Sequence, residues 1–123
     1  MKRALLVEDH VVFREALAAV LEEHTDLMET VQAGSLPEAR RISGHLIGEV
    51  DLVIVDLDLP NGEGIRLIDN LREAEPDVPV LALTDARNLK QRAWALRTGA
   101  HEVLSTAASI ETIVGVAQRL VGG

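Results

Sequence analysis

Leu52-Val53-Ile54-Val55-Asp56-Leu57-Asp58-Leu59-Pro60-Asn61-Gly62-Glu63-Gly64 is the stretch that decides the fold. Its first four residues form an unbroken aliphatic run, the signature of a strand buried on both faces. The run stops on an acid. Pro60, Asn61 and Gly62 then break the chain before Ile65, Leu67, Ile68 and Leu71, whose spacing predicts a helix that must end before Pro76.

The same strand-then-helix unit recurs on either side. Ala4-Leu5-Leu6-Val7 and Val78 to Leu83 read as further buried strands, and Leu27 to Val31 and Glu102-Val103-Leu104 as shorter ones nearer a sheet edge. Between them, Phe13, Leu17, Val20 and Leu21 line one helix. Leu36, Ala39, Ile42 and Leu46 line a second, begun by a Ser35/Glu38 capping box. Leu89, Ala93 and Leu96 line a fourth, ending near Gly99. Ile110, Ile113, Val114, Ala117, Leu120 and Val121 line the last, behind Ser109 as N-cap. Five such alternations predict one α/β domain, a doubly wound parallel sheet with helices on both faces.

Composition agrees. A chain of 123 residues has room for one domain and buries enough surface to fold without disulfide or zinc, and it has no cysteine. Twenty acids against 12 bases give a net charge of -8, which argues against this segment itself holding DNA or an anionic membrane. Phe13 and Trp94 are the only aromatics, too few for a stacking platform for single strands. Glu8 and Asp9 cut the first apolar run too short for a signal peptide, so the expectation is a cytoplasmic domain with no membrane contact. Val121-Gly122-Gly123 reads as the start of a linker or as the end of the chain.

In doubly wound sheets, ligands bind beyond the carboxyl ends of the strands. Glu8 and Asp9 follow the first strand, Asp56 and Asp58 the third, Thr84 and Asp85 the fourth, and Ser105 and Thr106 the fifth. If the first and third strands are neighbours, Glu8, Asp9 and Asp56 converge. Each pair of carboxylates 4 Å apart would then repel by about 4 kcal/mol at an effective dielectric near 20. A hard dication such as Mg²⁺ removes that repulsion. An aspartate on such a cation can attack phosphorus, and a Thr84 hydroxyl can donate to a phosphoryl oxygen.

These residues carry a resemblance to a known family. Val7-Glu8-Asp9-His10, the Asp56 to Gly64 loop, Leu83-Thr84 and Gly99-Ala100 together resemble the receiver domain of bacterial two-component response regulators, over essentially the whole chain (1–123). The Leu-Asp-Leu-Pro-x-Gly-x-Gly wording is most similar to LuxR/NarL-type transcription regulators. The resemblance implies a flavodoxin-like five-stranded sheet of order 2-1-3-4-5. It implies that Asp56 accepts phosphate from a sensor histidine kinase, with Mg²⁺ held by Glu8, Asp9, Asp56 and the backbone carbonyl of Asp58. Thr84 would then reposition the face made by the fourth helix, fifth strand and fifth helix. That face is also a candidate homodimer surface, through Arg87, Lys90, Arg92, Arg97, Trp94 and Glu111. DNA would be bound only by a C-terminal output domain outside this chain.

Three positions depart from the family pattern. Thr106 stands where a phosphoryl-binding Lys is usual, and the only lysines are Lys2 and Lys90. Val103 replaces the aromatic switch. Asp85 replaces a small residue beside the site and is expected as a fourth carboxylate near the metal. Arg87 is a candidate to supply the missing positive charge. His10 adjoins the site but has no metal-ligand spacing and reads as a bystander. Gly62 and Gly64 read as turn glycines.

These departures raise a rival reading, a pseudo-receiver acting as a phosphorylation-independent interaction domain. An enzyme is not expected. Asp56-Leu57-Asp58 resembles the first motif of haloacid-dehalogenase-type phosphatases, but it follows the third strand and lacks their later Lys. A flavin phosphate would be repelled by Glu8 and Asp9.

Overall fold

The computed structural model describes residues 2–24, 28–46, 49–85 and 87–122. The strands are β1 (Lys2–Val7), β2 (Met28–Ala33), β3 (Leu52–Asp56), β4 (Val80–Thr84) and β5 (Glu102–Ser105). The helices are α1 (Val11–His24), α2 (Leu36–Leu46), α3 (Glu63–Ala74), α4 (Leu89–Thr98) and α5 (Ile110–Gly122), with a short 3₁₀ turn at Pro60–Gly62. All strand pairs are parallel, in the order β2-β1-β3-β4-β5, as expected.

The continuous apolar strands produce two cores, because successive side chains point to opposite faces. Leu5, Val7, Val53, Val55, Val80 and Ala82 pack on the side that carries Leu36, Ala39, Leu67, Ile68 and Leu71. Ala4, Leu6, Leu52, Ile54, Leu81 and Leu83 pack on the side that carries Leu17, Leu21, Ile113, Val114 and Ala117. Thus α1 and α5 cover one face, and α2, α3 and, through Ala95, α4 the other.

Local signals place most boundaries. Thr112 N donates to Ser109 Oγ at 3.1 Å, confirming that cap. Glu38 N donates to Ser35 Oγ at 3.3 Å, while the Glu38 carboxylate reaches back to Gly34 N at 3.2 Å, one residue beyond the box. β4 begins two residues later than the apolar run. Val78 N turns to Glu75 O at 3.3 Å, and Pro79 offers only its carbonyl, which Val53 N takes at 3.0 Å. Leu27 of the second strand expectation and Gly123 lie outside the described residues, and the side chain of Leu46 is likewise not described.

The expected stripe on α4 is corrected. Leu89 is 70% exposed and Leu96 49%, and Ala93 is exposed too. Ala95 is the buried residue of this helix. A small side chain lets α4 approach the sheet edge, so the larger apolar side chains face outward. The stripe exists in the sequence but points to solvent.

Gly64 is also corrected. It lies in the first turn of α3, where an added Cβ would stand 2.5 Å from Asp56 O and 2.8 Å from Leu57 Cα. Gly64 therefore lets α3 dock on the end of β3 itself. A Gly64→Ala variant should lose about 1–3 kcal/mol by overpacking, read from chemical denaturation. A loss under a few tenths of a kcal/mol would refute that tight approach.

Candidate functional site

The register of the parallel sheet builds the site. Val7 pairs with Val55, so the next residues, Glu8 and Asp56, stand side by side at the carboxyl edge. Backbone bonds continue past the strands and hold the edge: Glu8 N to Ala33 O at 3.0 Å, Leu57 N to Leu83 O at 2.8 Å, and Thr106 N to Thr84 O at 3.0 Å. Glu8, Asp56 and Thr84 are the buried polar residues among those described, at 2%, 3% and 0% exposure. Ligand-capable atoms of Glu8, Asp9, His10 and Asp56 lie within 4.8 Å of one another. The convergence expected of Glu8, Asp9 and Asp56 is therefore present.

His10 is a partner that sequence spacing missed. Its Nδ1 lies 2.7 Å from Glu8 Oε1 and 3.4 Å from Asp9 Oδ1, and its backbone N donates to Glu8 Oε1 at 3.2 Å. The hydrogen bond to Glu8, then the charges of Glu8 and Asp9, raise the imidazole's pKa above its ordinary value. The only signal in the sequence was adjacency to two acids.

Asp56 Oδ1 accepts the Asp58 N–H at 2.8 Å. Burial, followed by the facing Glu8 carboxyl, pushes Asp56 up to about 8, against the opposing effect of the Asp58 N–H. Among the described residues, Glu8 Oε2 is buried without a hydrogen-bond donor. Either a shared proton or a cation meets that need. The oxygen-rich donor set and the orphaned Glu8 oxygen fit a hard dication.

The remaining candidate residues lie around this cluster. The Asp58 carboxylate turns toward the end of β4, accepting from Thr84 Oγ1 at 3.2 Å and Asp85 N at 2.9 Å. Asp85 takes a different partner from the one expected of it. Arg87 N, Nε and Nη2 approach its carboxylate at 2.9, 3.2 and 3.0 Å, and hold it down at about 2. The Arg87 side chain is 90% exposed. Val103 is buried in the core, and Thr106 is exposed at the end of β5. Gln91, which sequence reasoning passed over, donates from Nε2 to Leu57 O beside the acid cluster. A glutamine in a basic, apolar helix carries no local signal for that contact.

A parallel sheet of order 2-1-3-4-5 with an acid cluster at its carboxyl edge defines a receiver-type domain. The chain belongs to the response regulator receiver domain family, whose model matches residues 4–118. It is 29% identical over 121 residues to the virulence transcriptional regulatory protein PhoP of Salmonella typhimurium, covering 98% of this chain and 52% of that protein. It is 34% identical over 120 residues to the transcriptional activator protein ExaE of Pseudomonas putida, covering 97% and 55%. The chain thus spans about half the length of the curated relatives it matches. Among solved structures, a receiver domain protein from Clostridium thermocellum superposes with a TM-score of 0.89 at 22% identity, covering 99% of this chain and 95% of that one. A Burkholderia pseudomallei response regulator with a phosphorylated aspartic acid, a calcium ion and citrate superposes with a TM-score of 0.83 at 30% identity, covering 99% and 69%. This chain is the receiver domain of a two-component response regulator. Among the described residues, no helix is long and apolar enough to cross a membrane.

The raised pKa of Asp56 has a signed consequence. Its ordinary value is 3.8, so between about 4 and 8 the folded state holds a proton that the unfolded state releases. In a chelator, this group's contribution to stability is full below pH 4 and is lost as pH rises towards 8. Asp56→Asn should remove that slope and raise stability at pH 8 by about 1–3 kcal/mol. Melting curves across this pH range test it, and parallel slopes for the two proteins would refute it.

Proposed function

We propose that Asp56 is the phosphoacceptor of this receiver, and that it takes the phosphoryl group from the phosphohistidine of a sensor histidine kinase with Mg²⁺ in the acid cluster. The observation that carries this reading is the buried Asp56 beside Glu8, whose Oε2 has no donor among the described residues. Glu8, Asp9 and Asp56 would hold the cation with the backbone carbonyl of Asp58, whose carboxylate is already engaged by Thr84 and Asp85. When bound, the cation keeps Asp56 ionised and offsets its repulsion of the incoming phosphoryl oxygens.

The step is an in-line displacement. An Asp56 carboxylate oxygen forms the new bond to phosphorus, the P–N bond to the donor imidazole breaks, and the imidazole leaves with that electron pair. The Asp58 N–H fixes Oδ1, which leaves Oδ2 as the attacking oxygen. The Thr84 hydroxyl then leaves Asp58 and donates to a phosphoryl oxygen. Val103 supplies no aromatic rotamer change and Thr106 no charge, so movement at Thr84 passes to α4 and β5 by other contacts. Arg87 supplies positive charge only by leaving Asp85.

The output face is α4, β5 and α5. On it Trp94 is 59% exposed beside the exposed Leu89 and Leu96, among Lys90, Arg92 and Arg97. This outward apolar stripe with its basic flank, opposite acids such as Glu111 on α5, supports a homodimer contact there. The Leu57-Asp58-Leu59-Pro60 wording supports kinship with LuxR/NarL-type regulators, and the two transcription regulators among the relatives support control of transcription from the cytoplasm. In that reading 1–123 is the receiver, a C-terminal output domain of the parent protein binds DNA, and the receiver is no enzyme beyond its own phosphotransfer and dephosphorylation. A phosphorylation-independent interaction domain is not favoured, since the acid cluster is intact.

Incubation with Mg²⁺ and acetyl phosphate should give one phosphoryl adduct by intact mass, lost in Asp56→Asn. No adduct at saturating donor would overturn the reading. Removing the Arg87 charge should slow adduct formation several-fold, whereas Asp85→Ala should free Arg87 and accelerate it. Unchanged rates in both variants would remove Arg87 from the mechanism.

A further inference from the structure

The peptide group between Leu57 and Asp58 is held at both ends. Its N–H, on Asp58, donates to Asp56 Oδ1 at 2.8 Å. Its carbonyl, on Leu57, accepts from Gln91 Nε2 of α4. A peptide unit is planar, so gripping the carbonyl aims the N–H. The residue that grips this peptide therefore lies on α4, 34 positions from Leu57 in sequence.

The orientation of the Gln91 amide is itself determined. Asn88 caps α4, its Oδ1 accepting Gln91 N at 3.1 Å. That leaves Asn88 Nδ2 to donate to Gln91 Oε1 at 2.7 Å. With its oxygen engaged there, the Gln91 amide presents its nitrogen to Leu57. Thr84 Oγ1 stands 3.5 Å from the same Gln91 oxygen and 3.2 Å from Asp58 Oδ1. Since Ala95 is the buried residue of α4, this polar pin supplements a small apolar contact.

We propose that Gln91 is a positioning residue for phosphotransfer: by holding the Leu57 carbonyl it aims the Asp58 N–H at Asp56 Oδ1 and so presents Oδ2 to the donor. The inference rests on Asp56 as acceptor. It also links α4 to the reacting carboxylate by an unbroken chain of hydrogen bonds from Asn88 through Gln91 and the Leu57–Asp58 peptide to Asp56. When Thr84 turns to a phosphoryl oxygen, the same glutamine gains freedom, so the pin carries the state of Asp56 to the helix that bears Trp94.

Gln91→Glu keeps the size but loses the donor, and Gln91→Leu loses both ends. Both should slow adduct formation from acetyl phosphate roughly tenfold, the worth of one charge-assisted hydrogen bond. Both should also move the Asp58 amide proton resonance upfield from its carboxylate-bonded position. Asn88→Asp keeps the cap acceptor but removes the Nδ2 donor, and should show the same two effects at smaller size. A helix that merely packs worse would lower the melting temperature without moving the Asp58 resonance. An unmoved Asp58 resonance, or wild-type rates, in Gln91→Glu would overturn the inference even if Gln91→Leu fails to fold. Adduct formation that survives in Asp56→Asn would instead overturn the acceptor reading beneath it.

Discussion

Two carboxyl groups, Glu8 and Asp56, are buried side by side at the ends of neighbouring parallel strands, and the site depends on that placement. The register between β1 and β3 leaves no alternative, because Val7 opposite Val55 puts the next two side chains in contact. Burial makes the arrangement unfavourable as two free anions, which is why Asp56 rises to about 8. The same burial makes it receptive. A proton relieves the conflict, and the proposed cation would do the same, so occupancy of the site and energy of the fold are linked.

The surroundings of the pair are polar and graded. Asp9 and His10 are exposed, on the solvent side of Glu8. The Asp58 carboxylate, the Thr84 hydroxyl and Asp85 N form a second set at the end of β4, bonded to one another, while the Asp58 N–H donates to Asp56. The boundary between the sets is a single peptide group whose two ends are held by different elements. Rearrangement in one set must therefore be felt in the other, and then at α4, the helix with the least apolar anchorage. Its exposed leucines and Trp94 belong to the face we propose as the output surface.

The β3 run from Leu52 to Val55, the two-sided burial of β1 and the caps at Ser35 and Ser109 are local in origin. They rest on side-chain apolarity and on hydrogen bonds within a few residues, and each was legible. The α4 stripe points outward, and spacing identifies a helical face but not its direction. A helix held by one alanine and one glutamine has the same periodicity as one docked by its leucines. Gly64 looked like turn chemistry, since contact with Asp56 O is a through-space relation. His10 and Gln91 were passed over for the same reason: their partners are set by loop geometry and by packing between elements.

Residue order alone sets the strand and helix order, the apolar strands, the acids that follow them and, through a family resemblance, the kind of site they make. Those features depend on residue type and short-range spacing, which the chain carries explicitly. Only the folded arrangement settles that Glu8 faces Asp56, that α4 turns its leucines outward and that Gln91 reaches the Leu57 carbonyl. Each of these depends on the register and approach of separate elements, and such distances follow from the packing of the whole domain.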